Sequence, residues 1–183
     1  RMKTLFLIPV ALFLLSLHAR ADDGANIGGG LNTVHHIPIE SYAHDISDLK
    51  GYDVFEAKMK LLEQAAPSFA KKVREELDQT TWYLIPQTIA VLPRDKTGLH
   101  FDTEQDGYQL GREVFFNKDG HDARTLEDAA KAIMHEAIMR VQERKNERAV
   151  RQVIVKLFAQ NATPKSVGDA LALNQFGTYL NAE

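Results

Sequence analysis

Two apolar stripes toward the end of the chain restrict most strongly what it can fold into. Leu126, Ala129, Ala130, Ile133, Ala137 and Val141 recur at helical spacing. Val150, Val153, Ile154, Leu157 and Phe158 repeat the pattern at i, i+3, i+4, i+7 and i+8. Each set lies along one side of a helix and has to be covered by other elements. Thr125 with Asp128 forms an [ST]-x-x-[DE] start signal for the first helix. A boundary near Lys145 and Asn146 separates the two, and Thr163 followed by Pro164 opens a last helix, since proline at the first helical position loses no hydrogen bond.

Earlier in the chain, Phe55, Met59, Leu62 and Ala66 predict another helix, with Asp53 as its cap and Glu56 as the capping-box partner. Pro67 interrupts it. A proline inside a helix removes a hydrogen bond and clashes with the preceding turn, so Pro67 is read as opening a second helix carrying Phe69, Val73 and Leu77. The β-branched and aromatic run "TWYLIPQTIAVLP" predicts one broken strand or two short ones. Turns are expected at Asp106-Gly107 and Asp119-Gly120, with a strand from about Arg112 to Asn117 between them. The fold class is α+β: a helix pair, a small antiparallel sheet, then a helix bearing His135-Glu136 and the C-terminal helices.

The first residues address the compartment. Arg1 and Lys3 precede an apolar run from Leu5 to Leu17, and Ala19-Arg20-Ala21 then offers a small-x-small cleavage site before Asp22-Asp23. This is the layout of a secretory signal peptide cut after Ala21. The run is shorter than the roughly 20 residues that span a bilayer, so the mature chain is expected to carry no transmembrane anchor. Three segments follow: a signal peptide over 1–21, an extended or partly disordered arm over 22–50, rich in Gly, Asn, His and Ser, and a single α+β domain over 51–183. Cleavage leaves 162 of the 183 residues and removes Arg1, Lys3 and Arg20, so 19 basic residues face 25 acidic ones and the net charge moves from −3 to −6. That balance argues against nucleic acid as the partner. With no cysteine, neither disulfides nor a lipid-anchored form is available, and stability has to come from packing or a bound partner.

The chemistry centres on "AKAIMHEAIMR". In an H-E-x-x-H helix, histidines at i and i+4 bind Zn²⁺ from one face and the glutamate acts on the metal-bound water. Here His135 and Glu136 are present, but Met139 stands in the second ligand position. A thioether suits Cu(I) far better than Zn²⁺. On a helical wheel His135 and Met139 share the flank away from the apolar stripe. Glu136 and Arg140 fall together at the stripe's other edge as an i, i+4 pair, in which Glu136 orients Arg140. Other candidates are a histidine-aspartate group in the arm (His35, His36, His44, Asp45, Asp48), the pair His121-Asp122 as a loop or helix-capping group, and a basic stripe of Arg144, Arg148 and Arg151 able to touch an anionic envelope polymer.

The order of features resembles a group of uncharacterised exported proteins of predatory and environmental Gram-negative bacteria. The likeness rests on a Gly/Asn-rich segment after the leader, the proline-interrupted pair "LLEQAAPSFAKKVREEL", and the strand "TTWYLIPQTIAVLP" near a tryptophan. It continues through a hairpin into "DAAKAIMHEAIMR" with its His-Glu-x-x-x-Arg, and ends on "ERAVRQVIVKLF". It spans Gly28 to Phe158. "NIGGGLN" departs from that group's Gly-Asn-Gly-Gly-Asp start. The resemblance implies a reduced zincin-like layout.

Three functions compete. The first is an exported periplasmic or secreted module that has lost catalysis and binds a cell-envelope protein or polymer, with no cofactor. The second is a zinc-dependent hydrolase or peptidase with His135 as ligand and Glu136 as base. The third is a plain α+β interaction protein. Met139 weighs against the enzyme. Export should yield a chain beginning at Asp22; N-terminal sequencing that reads Arg1 or Met2 would refute the leader.

Overall fold

Pro67 divides the first helical segment in two, as its chemistry requires. In the computed structural model, which describes residues 33–34, 37–86, 89–90, 104–105, 107–142, 146–174 and 176, α1 runs Tyr52–Ala65 and α2 runs Pro67–Leu77. Ala66 joins them with φ −155° and ψ 79°. Phe55, Met59 and Leu62 of α1 and Phe69, Ala70, Val73 and Leu77 of α2 are buried. The capping box expected at Asp53 and Glu56 does not form. The residue ahead of α1 is Gly51, in the left-handed region at φ +86°, and no side chain caps the helix. Asp53 lies in the first turn, and Glu56 is engaged by Arg74 of α2.

The sheet is mixed. Its strands are β3 (Ala43–His44), β4 (Thr81–Ile85), β7 (Gly107–Leu110) and β8 (Glu113–Asn117), in the order β3-β4-β8-β7. The antiparallel sheet predicted from sequence is corrected at its centre, where β4 and β8 run parallel from Thr81↔Glu113 to Ile85↔Asn117. Burial accounts for the arrangement. Val114, Phe115 and Phe116 of β8 are all buried, and a strand hidden on both faces belongs inside a sheet. β7 alternates and takes the edge. The hairpin between them turns at Gly111 and Arg112, where Gly111 has φ +55°. Gly107, expected in a turn, begins β7, and Asp106 lies outside the described residues. Gly120, also expected in a turn, sits in α3 (Lys118–Ala123), where its N–H donates to the Asn117 cap at 2.6 Å. Two further strand pairs are small and antiparallel: β1 (Thr33–Val34) with β2 (Ile37–Pro38), and β5 (Ile89–Ala90) with β6 (Glu104–Gln105). The described part of the 22–50 segment is extended or in short 3₁₀ turns, and β3 ties it into the sheet through Ala43↔Tyr83 and His44↔Trp82.

α4 (Leu126–Val141), α5 (Glu147–Leu157) and α6 (Pro164–Leu173) complete the fold. Their starts are written locally. Thr125 accepts from the Asp128 N–H, Asn146 from Ala149, and Thr163 forms a capping box with Ser166. α4 is central, packed on α1, α2 and α5 and touching β7. It therefore buries a wider arc than its apolar stripe indicates: Met134 and Ile138 are fully covered, whereas Leu126 is 58% exposed. One face of the sheet sends Trp82, Leu84, Val114 and Phe116 into this helical core. The opposite face gathers Tyr83, Ile85 and Phe115 against Ile39, Tyr42 and Tyr108. No helix among the described residues is long and apolar enough to cross a membrane.

Gly51 carries the tightest contact. A Cβ there would stand 2.5 Å from the Leu126 carbonyl oxygen and 2.7 Å from the Ala130 nitrogen. The left-handed backbone alone costs an L-residue roughly 1–2 kcal/mol. With the overlap added, Gly51→Ala should destabilise the fold by on the order of 3 kcal/mol, read as a lowered urea midpoint. An unchanged midpoint would show that α1 and α4 can part without cost.

Candidate functional site

His135 and Glu136 are neighbours on α4 but meet different elements. Successive residues of a helix are turned about 100° apart. His135 is largely shielded from solvent, and the charges it feels are Glu147 and Arg151 of α5. Burial lowers its pKa first; Glu147 opposes that shift and Arg151 reinforces it. Glu136 stands on the sheet side: its Oε1 would lie 3.2 Å from a Cβ on Gly107. Its backbone carbonyl accepts a 2.7 Å bond from the buried Gln109 side chain of β7. Met139 is partly buried and packs on the main core.

Arg140, expected at the edge of the apolar stripe beside Glu136, has a side chain only 7% exposed. Nη1 donates to the Gly111 carbonyl at 2.7 Å and Nη2 to Glu76 of α2 at 3.4 Å. The side chain thus fastens the β7–β8 turn and α2 to α4. It acts as a structural clamp. Sequence reasoning missed these partners because they lie 29 and 64 residues away.

A zinc site needs three or four converging donors. Among the described residues no three His, Asp or Glu side chains come together for a metal. Around His135 the second H-E-x-x-H position is a core-packed methionine, so these residues do not fit zinc. In the arm, His44, Asp45 and Asp48 share a shallow surface depression with Thr80 and Thr81, while His35 and His36 lie outside the described residues.

His121, read from sequence as a loop or capping residue, is fully buried within α3. Its ring stacks on Phe116 at 4.9 Å, and Phe116 stacks on Trp82 at 5.8 Å. Neither ring nitrogen makes a hydrogen bond of normal geometry, although the Lys50 backbone lies close enough to favour the protonated ring slightly. Burial, with Arg124 second, pushes its pKa down to about 4 against the pull of Asp122. Asp122 pairs with Lys118, and its carbonyl accepts from Lys50.

The basic stripe lies on a groove of about 670 Å³ between α5 and α6. Arg148, Arg151 and Lys156 line it, together with Val155 and Leu173, which are 68% and 83% exposed. Arg151 is paired with Glu147 one turn earlier, and Lys165 with Asp169 at 2.7 Å. Arg148 and Lys156 have no acidic partner among the described residues, and Arg144 lies outside them. Lys156 and the two apolar side chains were missed from sequence. Val155 stands seven residues after Arg148, a spacing that puts both on one face.

A second set missed from sequence is the knot around Arg74. Its Nη2 reaches Glu56 at 2.8 Å and its Nε reaches Glu63 at 3.1 Å. The guanidinium holds the Glu56 carboxyl below its ordinary range. The chain matches no known family model, and no curated protein or solved structure matches it.

His121, which is buried, and His135, which is partly buried, set a pH dependence. Unfolded, each titrates near 6.5; folded, His121 stays neutral down to about 4 and His135 is also lowered. Between those limits the unfolded chain binds more protons, so stability falls as pH falls. His121 alone should cost about 2–3 kcal/mol between pH 7 and 4.5. Urea midpoints at the two pH values should converge in His121→Leu. An equally steep loss in that variant would remove His121 as the cause.

Proposed function

We propose that the protein is an exported, non-catalytic binding module of the cell envelope that receives an anionic envelope polymer in its α5–α6 groove. The observation that carries this reading is a pair of cations without an acidic partner among the described residues, Arg148 and Lys156, beside exposed Val155 and Leu173. Such cations concentrate polyanions locally even on an exported chain of net charge −6, which has 19 basic and 25 acidic residues. The apolar side chains supply the contact area that charge alone lacks. The use of α4 as a structural element supports the non-catalytic half of the reading: Met139 fills core space and Arg140 clamps two other elements. On this account the chain shares the zincin-like layout of the exported group it resembles, with the His-Glu helix kept as scaffold. The leader supports a periplasmic or secreted location.

Lipopolysaccharide and heparin serve as test polyanions for the chain lacking residues 1–21. Binding should weaken with salt, because exposed charges are screened over about 8 Å at physiological ionic strength. Arg148→Glu with Lys156→Glu should reduce affinity at least about tenfold, a loss of roughly 1.4 kcal/mol, at an unchanged melting temperature. Equal binding by wild type and variant would overturn the proposal. Stoichiometric zinc in the purified protein would favour the hydrolase instead.

A further inference from the structure

Among the described residues, the two most exposed large apolar side chains are Val155 and Leu173, and both line the α5–α6 groove. A single exposed leucine is ordinary. Two on one groove, one from each helix, form the kind of patch that marks a contact site. Val155 is not the rim of the core. Arg148, Gln152, Val155 and Lys156 fall at i, i+4, i+7 and i+8 and share the groove side of α5. Val150, Val153, Ile154 and Leu157 occupy the opposite side and are buried.

Charge stands on the same surface. The groove carries Arg148, Arg151, Lys156 and Asp169. Glu147 pairs with Arg151, and Lys165 pairs with Asp169, which leaves the positive charges of Arg148 and Lys156 over. A purely hydrophilic polyanion would match those two cations and leave Val155 and Leu173 in water. An acyl chain alone would cover the apolar pair and leave the cations unmatched. A molecule that carries phosphates and acyl chains together meets both. Lys156 suits the join, because a lysine lays its methylene stem on apolar surface while its ammonium reaches an anion. The groove's volume of about 670 Å³ gives room for a headgroup and the adjoining part of a chain, within the roughly 300–1,000 Å³ of small-molecule sites.

We infer that the groove takes the phosphorylated, acylated end of a lipid-linked envelope polymer, with phosphate at Arg148 and Lys156 and acyl chain on Val155 and Leu173. The inference rests on the polymer reading and narrows it to the lipid-bearing end.

Three probes separate the two: lipopolysaccharide, the same material stripped of its acyl chains with its phosphates kept, and heparin. Wild type should bind lipopolysaccharide at least about tenfold more tightly than the deacylated form, because only the former covers the apolar pair. Val155→Gln with Leu173→Gln should remove that preference and leave heparin binding unchanged. Both side chains are exposed, so the melting temperature should hold. Micelle avidity alone would keep the preference in this variant. Equal binding of the acylated and deacylated forms by wild type overturns the inference, as does a preference that survives in the variant. In either case, salt-sensitive heparin binding that is lost in Arg148→Glu with Lys156→Glu would still support the polymer reading. Absence of binding to all three probes overturns both.

Discussion

Gly51 meets the first turn of α4 with no side chain between them, and the rest of the fold is arranged around that approach. The missing Cβ lets α1 lie against backbone atoms of Leu126 and Ala130. Once α1 is so placed, Phe55, Met59 and Leu62 join Ala130, Ile133 and Ala137 in one apolar cluster. α2 follows through the joint at Ala66, and its Val73 and Leu77 enter the same cluster. A chain without disulfides has only such packing to hold it together. The glycine is also why α1 starts without a side-chain cap: the position that would bear one is occupied by helix–helix contact.

The same centrality explains what became of the His-Glu segment. A helix covered on several sides offers each residue a different neighbour. His135 receives α5, Glu136 receives β7, and Met139 receives the core. A hydrolytic zinc helix needs one open face on which imidazoles and water converge. α4 spends its faces on packing, and the one long cation near the segment, Arg140, is drawn to the carbonyl of Gly111 and the carboxylate of Glu76.

What the sequence disclosed follows the range of the forces involved. Pro67, Thr125 and Thr163 were legible because a helix start is a matter of three or four adjacent residues. Val153 and Leu157 were legible because a buried helix face repeats along the chain. The parallel pairing of β4 with β8 was not, since it depends on which strand can afford exposure, and only the finished sheet decides that. Gly51 stood unremarked for a similar reason: nothing nearby in sequence reveals that Leu126 will press on it. His121 read as a loop or capping residue, whereas its ring lies buried against Phe116, itself stacked on Trp82. At the candidate surfaces, the Arg148–Arg151 stripe was visible as charge. The Arg74 knot was not, because Glu56 lies 18 residues away on another helix.

The charge pattern sets the α5–α6 face apart from the rest of the described surface. Most ion pairs among the described residues join residues three or four apart on one exposed helix face, as in Lys131 with Glu127 and Lys165 with Asp169, and such pairs contribute little to stability. They neutralise the helix exteriors locally. Arg148 and Lys156 have no acidic partner among the described residues, so α5 does not use them for pairing of this kind. Both stand on regular helix beside exposed Val155 and Leu173, along the groove between α5 and α6. A fixed backbone, spare positive charge and apolar contact area together are the physical basis of the proposed polyanion site.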